Sequence, residues 1–140
     1  MSTTAWEDDY RRKTVSPASA AQAIKSGDNV IFPNVYRGFL PHSIVARRTE
    51  LRDVTIECCA PFYDPGWFAP GMEESFNPII RTFLYAMRHV HDAGWVPFLP
   101  YTHGTWIKPH RDNRSTKRDI DVFIVEVSTP DENGFCYFGR

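Results

Sequence analysis

Between Val122 and Gly134 an apolar, β-branched run gives way to Ser128-Thr129-Pro130-Asp131-Glu132-Asn133-Gly134. In an open α/β sheet, ligands settle outside the carboxyl ends of the strands, so a hydroxyl and a carboxylate delivered there stand where binding chemistry happens. Ser128 is able to donate to a ligand oxygen. Asp131 can close the turn through its own backbone, with Gly134 taking a positive φ. The same residues equally suit a plain turn cap, and local chemistry leaves both readings open.

Other reactive residues carry less. His89 and His91 stand two apart, with His103 and His110 further on. On a helix, residues two apart point about 200° away from each other, and metal ligands sharing a face need spacings of three or four. No metal is expected. Adjacent Cys58 and Cys59 lie on an apolar strand and alternate faces, which argues for burial rather than an exposed reactive thiol. With Cys136 far away the count of 3 is odd, so reduced thiols are expected. The basic segment KPHRDNRSTKR offers phosphate contacts, but Asp112 interrupts it and Trp106, just before it, is the lone stacking candidate. No G-x-S-x-G, P-loop or G-x-G-x-x-G occurs.

The elements that must position these residues follow from pattern. With 140 residues, one domain is expected. Apolar residues at 42% and aromatics at 14% argue for a folded core. A formal charge of -1 supplies no global field for nucleic acid or an anionic membrane, and no apolar run is long enough to span a bilayer. A soluble cytoplasmic protein without nucleic-acid or membrane partners is the expectation.

Residues 1–15 read as a polar lead or short docking helix, and residues 16–140 as the domain. In SPASAAQAIKSGDNVIF, Ser16 fits an N-cap, Pro17 the first helical position and Gly27 a left-handed stop. Asn29 to Phe32 and Val54 to Cys59 read as buried strands. SIVARRTELRD reads as a helix between them. The loop APFYDPGWFAPGMEES must pack on something to stay ordered. Ile79, Ile80, Phe83, Leu84, Met87 and Val90 recur at spacings of three and four, which predicts a helix from Pro78 to Ala93 capped by Asn77 and ended by Gly94. WVPFLP reads as a short strand and Val122 to Val127 as a buried one. Strands alternating with helices predict an α/β fold with a mostly parallel sheet flanked by helices.

Several of these pieces, in this order, resemble the amino-terminal half of the acetyl-CoA hydrolase and 4-hydroxybutyrate CoA-transferase family. They are Tyr10 and Lys13, AAQAIKSGDNVIF, the loop GFLPHSIV opening a helix, and DVFIVEVSTPDENGFCYFG. The resemblance covers most of residues 10–139 and is looser from Ala60 to His110. It implies a CoA-transferase half of the NagB/RpiA-like kind, with coenzyme A entering as the acyl-CoA substrate and a small carboxylate as acceptor. In that family a glutamate of the second half attacks the thioester. None of Glu50, Glu57, Glu73, Glu74, Glu126 or Glu132 matches it, so no catalytic residue is expected here. Glu126 is the one expected on a strand beside the implied site.

The resemblance therefore implies a chain that reads as truncated after the first half, inactive alone and completed by a catalytic half or subunit in a homo- or hetero-oligomer. The expected pocket wall is Asn34, Arg37, Gly38, Ser128, Pro130 and Asp131. Tyr36, Arg37 and Phe39 are bulky where the family carries small residues around the acyl pocket. Arg37, if it faces the pocket, suits a substrate carboxylate. The alternative reading is a non-catalytic α/β module for a small carboxylate or a protein partner. Exposed aromatic loops around Trp67, Phe68 and Trp106 are expected to drive self-association or to need a partner that covers them.

Overall fold

The computed structural model describes residues 5–33, 38–97 and 119–138. Four strands form one all-parallel sheet in the order β3-β2-β1-β4. They are β1 (Asn29–Phe32), β2 (Val54–Cys58), β3 (Phe76–Ile80) and β4 (Val122–Phe123). Helices α1 (Ala5–Lys13), α2 (Pro17–Ala21), α3 (Leu40–Val45) and α4 (Arg88–Asp92) accompany them, α4 entered through a 3₁₀ turn at Tyr85–Met87. The expected α/β class is the observed architecture.

The lead folds as α1, acidic at its start and basic at its end, as the helix dipole favours. Asp9 pairs with Lys13 at 2.6 Å. The Ser16 Oγ accepts the Ser19 amide at 3.1 Å and Pro17 opens α2, as its sequence predicts. Gly27 sits at φ 86° and sends its amide to the Arg52 carbonyl at 2.9 Å, turning the chain into β1. The next helix begins earlier than its charged stretch suggested. Pro41 sets the first turn of α3, and the segment after Val45 runs on as turns. Within those turns Arg47 donates to the Ile24 carbonyl at 2.9 Å and to the Ala21 carbonyl, lashing α2 to α3.

β1 and β2 are buried along their whole length. One sheet face presents Val30, Phe32, Val54, Ile56, Cys58, Phe76 and Ile80 to Ala21, Ile24, Ile44 and Leu51. Each fully buried aliphatic side chain here contributes roughly 1.5–3 kcal/mol. The loop between β2 and β3 supplies the rest: Trp67 and Phe68 are buried, and the Trp67 ring lies 5.6 Å from Phe32 and 6.2 Å from Phe68. A parallel pair needs a long crossover, and here an aromatic loop packed on the sheet takes the place usual for a helix. Trp67 and Phe68 are therefore core, not the exposed surface expected of them; Trp106 lies outside the described residues. The opposite face is polar at its centre, with Asn29, Thr55, Glu57 and Arg81 all buried.

The helix predicted from Pro78 to Ala93 is corrected. Its first residues belong to β3, where Phe76, Pro78 and Ile80 are buried and Asn77 is exposed. Helical structure appears only from Tyr85, and α4 ends before Gly94 at φ 69°. A proline survives in β3 because the strand is outermost. The Ile80 amide points outward, 3.4 Å from the Pro97 carbonyl, so the Pro78 nitrogen two residues earlier also faces away from β2 and no ladder bond is lost. Trp95 to Pro97 forms no strand, and the rest of WVPFLP lies outside the described residues. The strand expected from Val122 to Val127 is shorter and less buried than its sequence predicts: β4 has two residues, one half-buried and one exposed.

Candidate functional site at the carboxyl ends of the strands

Three connections leave the carboxyl edge of the sheet and meet. The one after β1 reaches Gly38, whose φ of 71° turns the chain into α3. The one after β2 carries Tyr63, whose hydroxyl donates to the Gly38 carbonyl at 3.1 Å. His42, on α3, stacks on the Tyr63 ring with centroids 5.5 Å apart and planes 26° apart. The segment after β4 brings Glu126. Burial raises the Tyr63 phenol above its ordinary pKa, and the charge of Glu126 raises it further. A protonated phenol at neutral pH is a donor, and here it fixes the backbone of the β1–α3 connection.

Beyond Glu126 the chain forms the expected turn. Val127 and Phe138 bridge antiparallel, and the Ser128 amide donates to the Tyr137 carbonyl at 2.8 Å. The Ser128 Oγ accepts the Tyr137 amide at 3.0 Å and donates to the Thr129 carbonyl at 2.9 Å. The Asp131 carboxylate accepts the Asn133 and Phe135 amides at 2.9 Å each and the Tyr137 hydroxyl at 2.8 Å. Those donors hold its carboxyl below the usual carboxylate value, the Phe135 amide contributing most. Donating to the Asp131 carboxylate raises the Tyr137 phenol. Gly134 takes the expected positive φ, 85°, and a Cβ there would lie 2.9 Å from Trp6 Cγ, so α1 docks against the turn.

Of the expected pocket residues, Gly38, Ser128, Pro130 and Asp131 fall within the described chain; Asn34 and Arg37 lie outside it. Ser128 and Asp131 share one hairpin. Gly38 stands with Tyr63 and His42, and no hydrogen bond joins it to Ser128, Pro130 or Asp131. Glu126 is exposed and follows β4 rather than lying on it. Tyr63 and His42 were missed in sequence because neither sits in a motif; an aromatic a few residues past a strand end is the one hint they gave. Two hollows elsewhere are lined by other residues. One of 280 Å³ runs along the outer side of β3, past Trp67, Phe76, Pro78 and Trp95, and one of 450 Å³ lies against α4.

Two cysteines are sheltered: Cys58 is buried and Cys59 half-buried, its thiol pushed up by that burial and partly offset by the Arg81 charge. Neither is set up as a thiolate nucleophile. Among the described residues no three His, Cys, Asp or Glu side chains gather as a metal site, and no helix is long and apolar enough to cross a membrane.

Along nearly its whole length the chain is similar to CoA transferases. It is 31% identical over 140 residues to succinyl-CoA:cyclohexane-1-carboxylate CoA transferase of Geobacter metallireducens, covering 93% of this chain and 29% of that protein. It is 27% identical over 144 residues to a protein of Syntrophomonas wolfei named "Probable butyrate:acetyl-CoA coenzyme A-transferase", covering 94% of this chain and 29% of that one. The chain thus spans about three tenths of the length of these curated relatives. No protein-family model matches it. Its fold is that of part of RipA from Yersinia pestis, with a TM-score of 0.76 at 16% identity over 95% of this chain and 33% of that one. The E249A mutant of RipA superposes with a TM-score of 0.78, also at 16% identity.

Proposed function

We propose that the chain is the amino-terminal part of a CoA transferase that moves CoA between an acyl-CoA and a small carboxylate. It forms part of the acyl pocket, and the attacking glutamate lies in polypeptide outside these residues. The observation that carries this reading is similarity to two CoA transferases along at least 93% of the chain. The carboxyl-edge constellation supports it. Tyr63 holds the Gly38 carbonyl at the start of α3, while the Asp131 turn follows the segment that continues β4. In this reading Asn34, Arg37, Gly38, Ser128, Pro130 and Asp131 shape the wall, and Arg37 suits a carboxylate on the substrate. The nucleophile in this reading is none of the described carboxylates; among them, Glu57 is buried in an ion pair and Asp131 is committed to its turn.

The test replaces the matched segment of the Geobacter metallireducens relative with this chain and follows transfer of CoA from succinyl-CoA to a carboxylate. Turnover by the chimera that disappears on Arg37→Met, together with none from the 140 residues alone, is the expected result. A folded chimera without turnover favours the non-catalytic binding module, and turnover by the chain alone overturns the placement of the nucleophile.

A further inference from the structure

Half of the strongly exposed large hydrophobic side chains among the described residues lie between Ile120 and Phe138: Ile120, Phe123, Val127, Phe135, Tyr137 and Phe138. Phe138 is 76% exposed and Phe123 54%. Ile120 leads into β4, Phe123 lies on it and the others belong to the hairpin segment that follows; among the described residues β4 pairs with β1 alone. Across the Val127–Phe138 bridge the two residues are direct cross-strand neighbours, and Cys136, two residues before Phe138, is also exposed. Parallel strands are ordinarily covered on both faces, and an open apolar edge invites association. Single exposed apolar residues need no explanation, whereas a run along one edge marks a contact surface.

The comparisons supply the occupant. The chain matches 29% of each CoA transferase, which leaves more than two thirds of each relative without a counterpart here. We propose that the exposed side of β4 and the hairpin bearing Val127, Cys136 and Phe138 dock the polypeptide that corresponds to this remainder. The inference rests on the proposed function, whose partner it locates on the surface. It also gives α1 a role: Trp6, packed on Gly134, braces the hairpin turn.

Cys136 is a built-in reporter. In the Geobacter chimera its alkylation, followed by peptide mass spectrometry, is expected to be at least about tenfold slower than in the isolated chain, because reagent then reaches it only through rare opening. Phe138→Lys and Phe123→Lys in the chimera restore fast labelling, and circular dichroism of the isolated chain with the same substitutions confirms that it still folds. Tyr85→Lys, at a residue 88% exposed near α4, leaves the protection unchanged. Equal labelling of chimera and isolated chain overturns the proposal, as does protection that survives the charged variants, an insoluble chimera, or an isolated chain that already protects Cys136 by pairing with a second copy. Protection without CoA transfer leaves the docking surface standing and removes the proposed function.

Discussion

β2 and the segment that begins with β4 start from similar material. VTIEC and VFIVEV are both β-branched and apolar with one acidic residue, yet β2 is buried at all five positions while β4 keeps two paired residues and exposes Phe123. Position in the sheet separates them. β2 has a parallel neighbour on each side and the Trp67 loop over one face, whereas among the described residues β4 is paired with β1 alone. Apolar content thus states the surroundings a strand requires. Where the observed exposure falls short of that requirement, the shortfall is itself a finding about what else the strand touches.

The sharpest way to break the comparison is at the interior. Glu57 and Arg81 form an ion pair with side chains 0% and 3% exposed, and the Asn29 amide nitrogen reaches Glu57 Oε1 at 3.4 Å. Removing one partner leaves a charge in a site sheltered from water. Arg81→Met is expected to cost about 3–5 kcal/mol, and the double variant Glu57→Leu/Arg81→Met to recover much of that loss. Urea unfolding of the two variants checks both values. A double variant no more stable than the single one would mean that the pair is needed to specify the polar face rather than merely being tolerated there.

A second break lies at the hairpin. Gly134→Ala strains a positive φ and drives a Cβ into the Trp6 ring, so it is expected to cost roughly 1–3 kcal/mol and to free α1. Gly27→Ala meets the same backbone strain in open space and is expected to cost less. Hydrogen exchange over Ala5–Lys13 separates them, rising in the first variant alone.

The third prediction concerns the place where the β1, β2 and β4 connections meet. Tyr63→Phe deletes one hydroxyl and its bond to Gly38, a neutral hydrogen bond worth about 0.5–1.5 kcal/mol. Thermal melting should shift only slightly, while exchange at Phe39 and Leu40 increases more than in β1 or β2. Equal increases everywhere would show that Tyr63 acts on overall packing rather than on this connection.

What the sequence disclosed follows the range of the forces involved. β1, the Ser16 cap and the positive φ of Gly27 and Gly134 depend on neighbours a few residues away and were legible. β2 was read to within one residue. β3 was not, because Ile79, Ile80 and Phe83 satisfy helical spacing while Phe76, Pro78 and Ile80 satisfy alternation, and only the outermost position in the sheet excuses the proline. Tyr63 and Gly38 stand 25 residues apart, and Glu57 and Arg81 24, so neither meeting is visible in any local pattern. The hairpin sequence showed its turn chemistry plainly, but it did not show that three donors would converge on Asp131.

That convergence gives the smallest and most local effect, expected to leave the global melting temperature unchanged. The folded Asp131 carboxyl titrates below its ordinary 3.8, so its bonds to Phe135, Tyr137 and Asn133 are fully formed at neutral pH and are lost as the pH falls through the lowered value. The amide proton resonances of Asn133 and Phe135 should move together with a midpoint under 3.8 in acid, and Asp131→Asn should abolish the transition. A midpoint at or above the ordinary value would mean that the carboxylate is not held by the turn and is free to meet a ligand. A lowered midpoint restricts Asp131 to shaping the pocket wall, because a carboxylate already accepting from two amides and a phenol is a poor proton acceptor for substrate. The polar end of the β4 segment would then contribute geometry, and its apolar face the contact with what lies beyond.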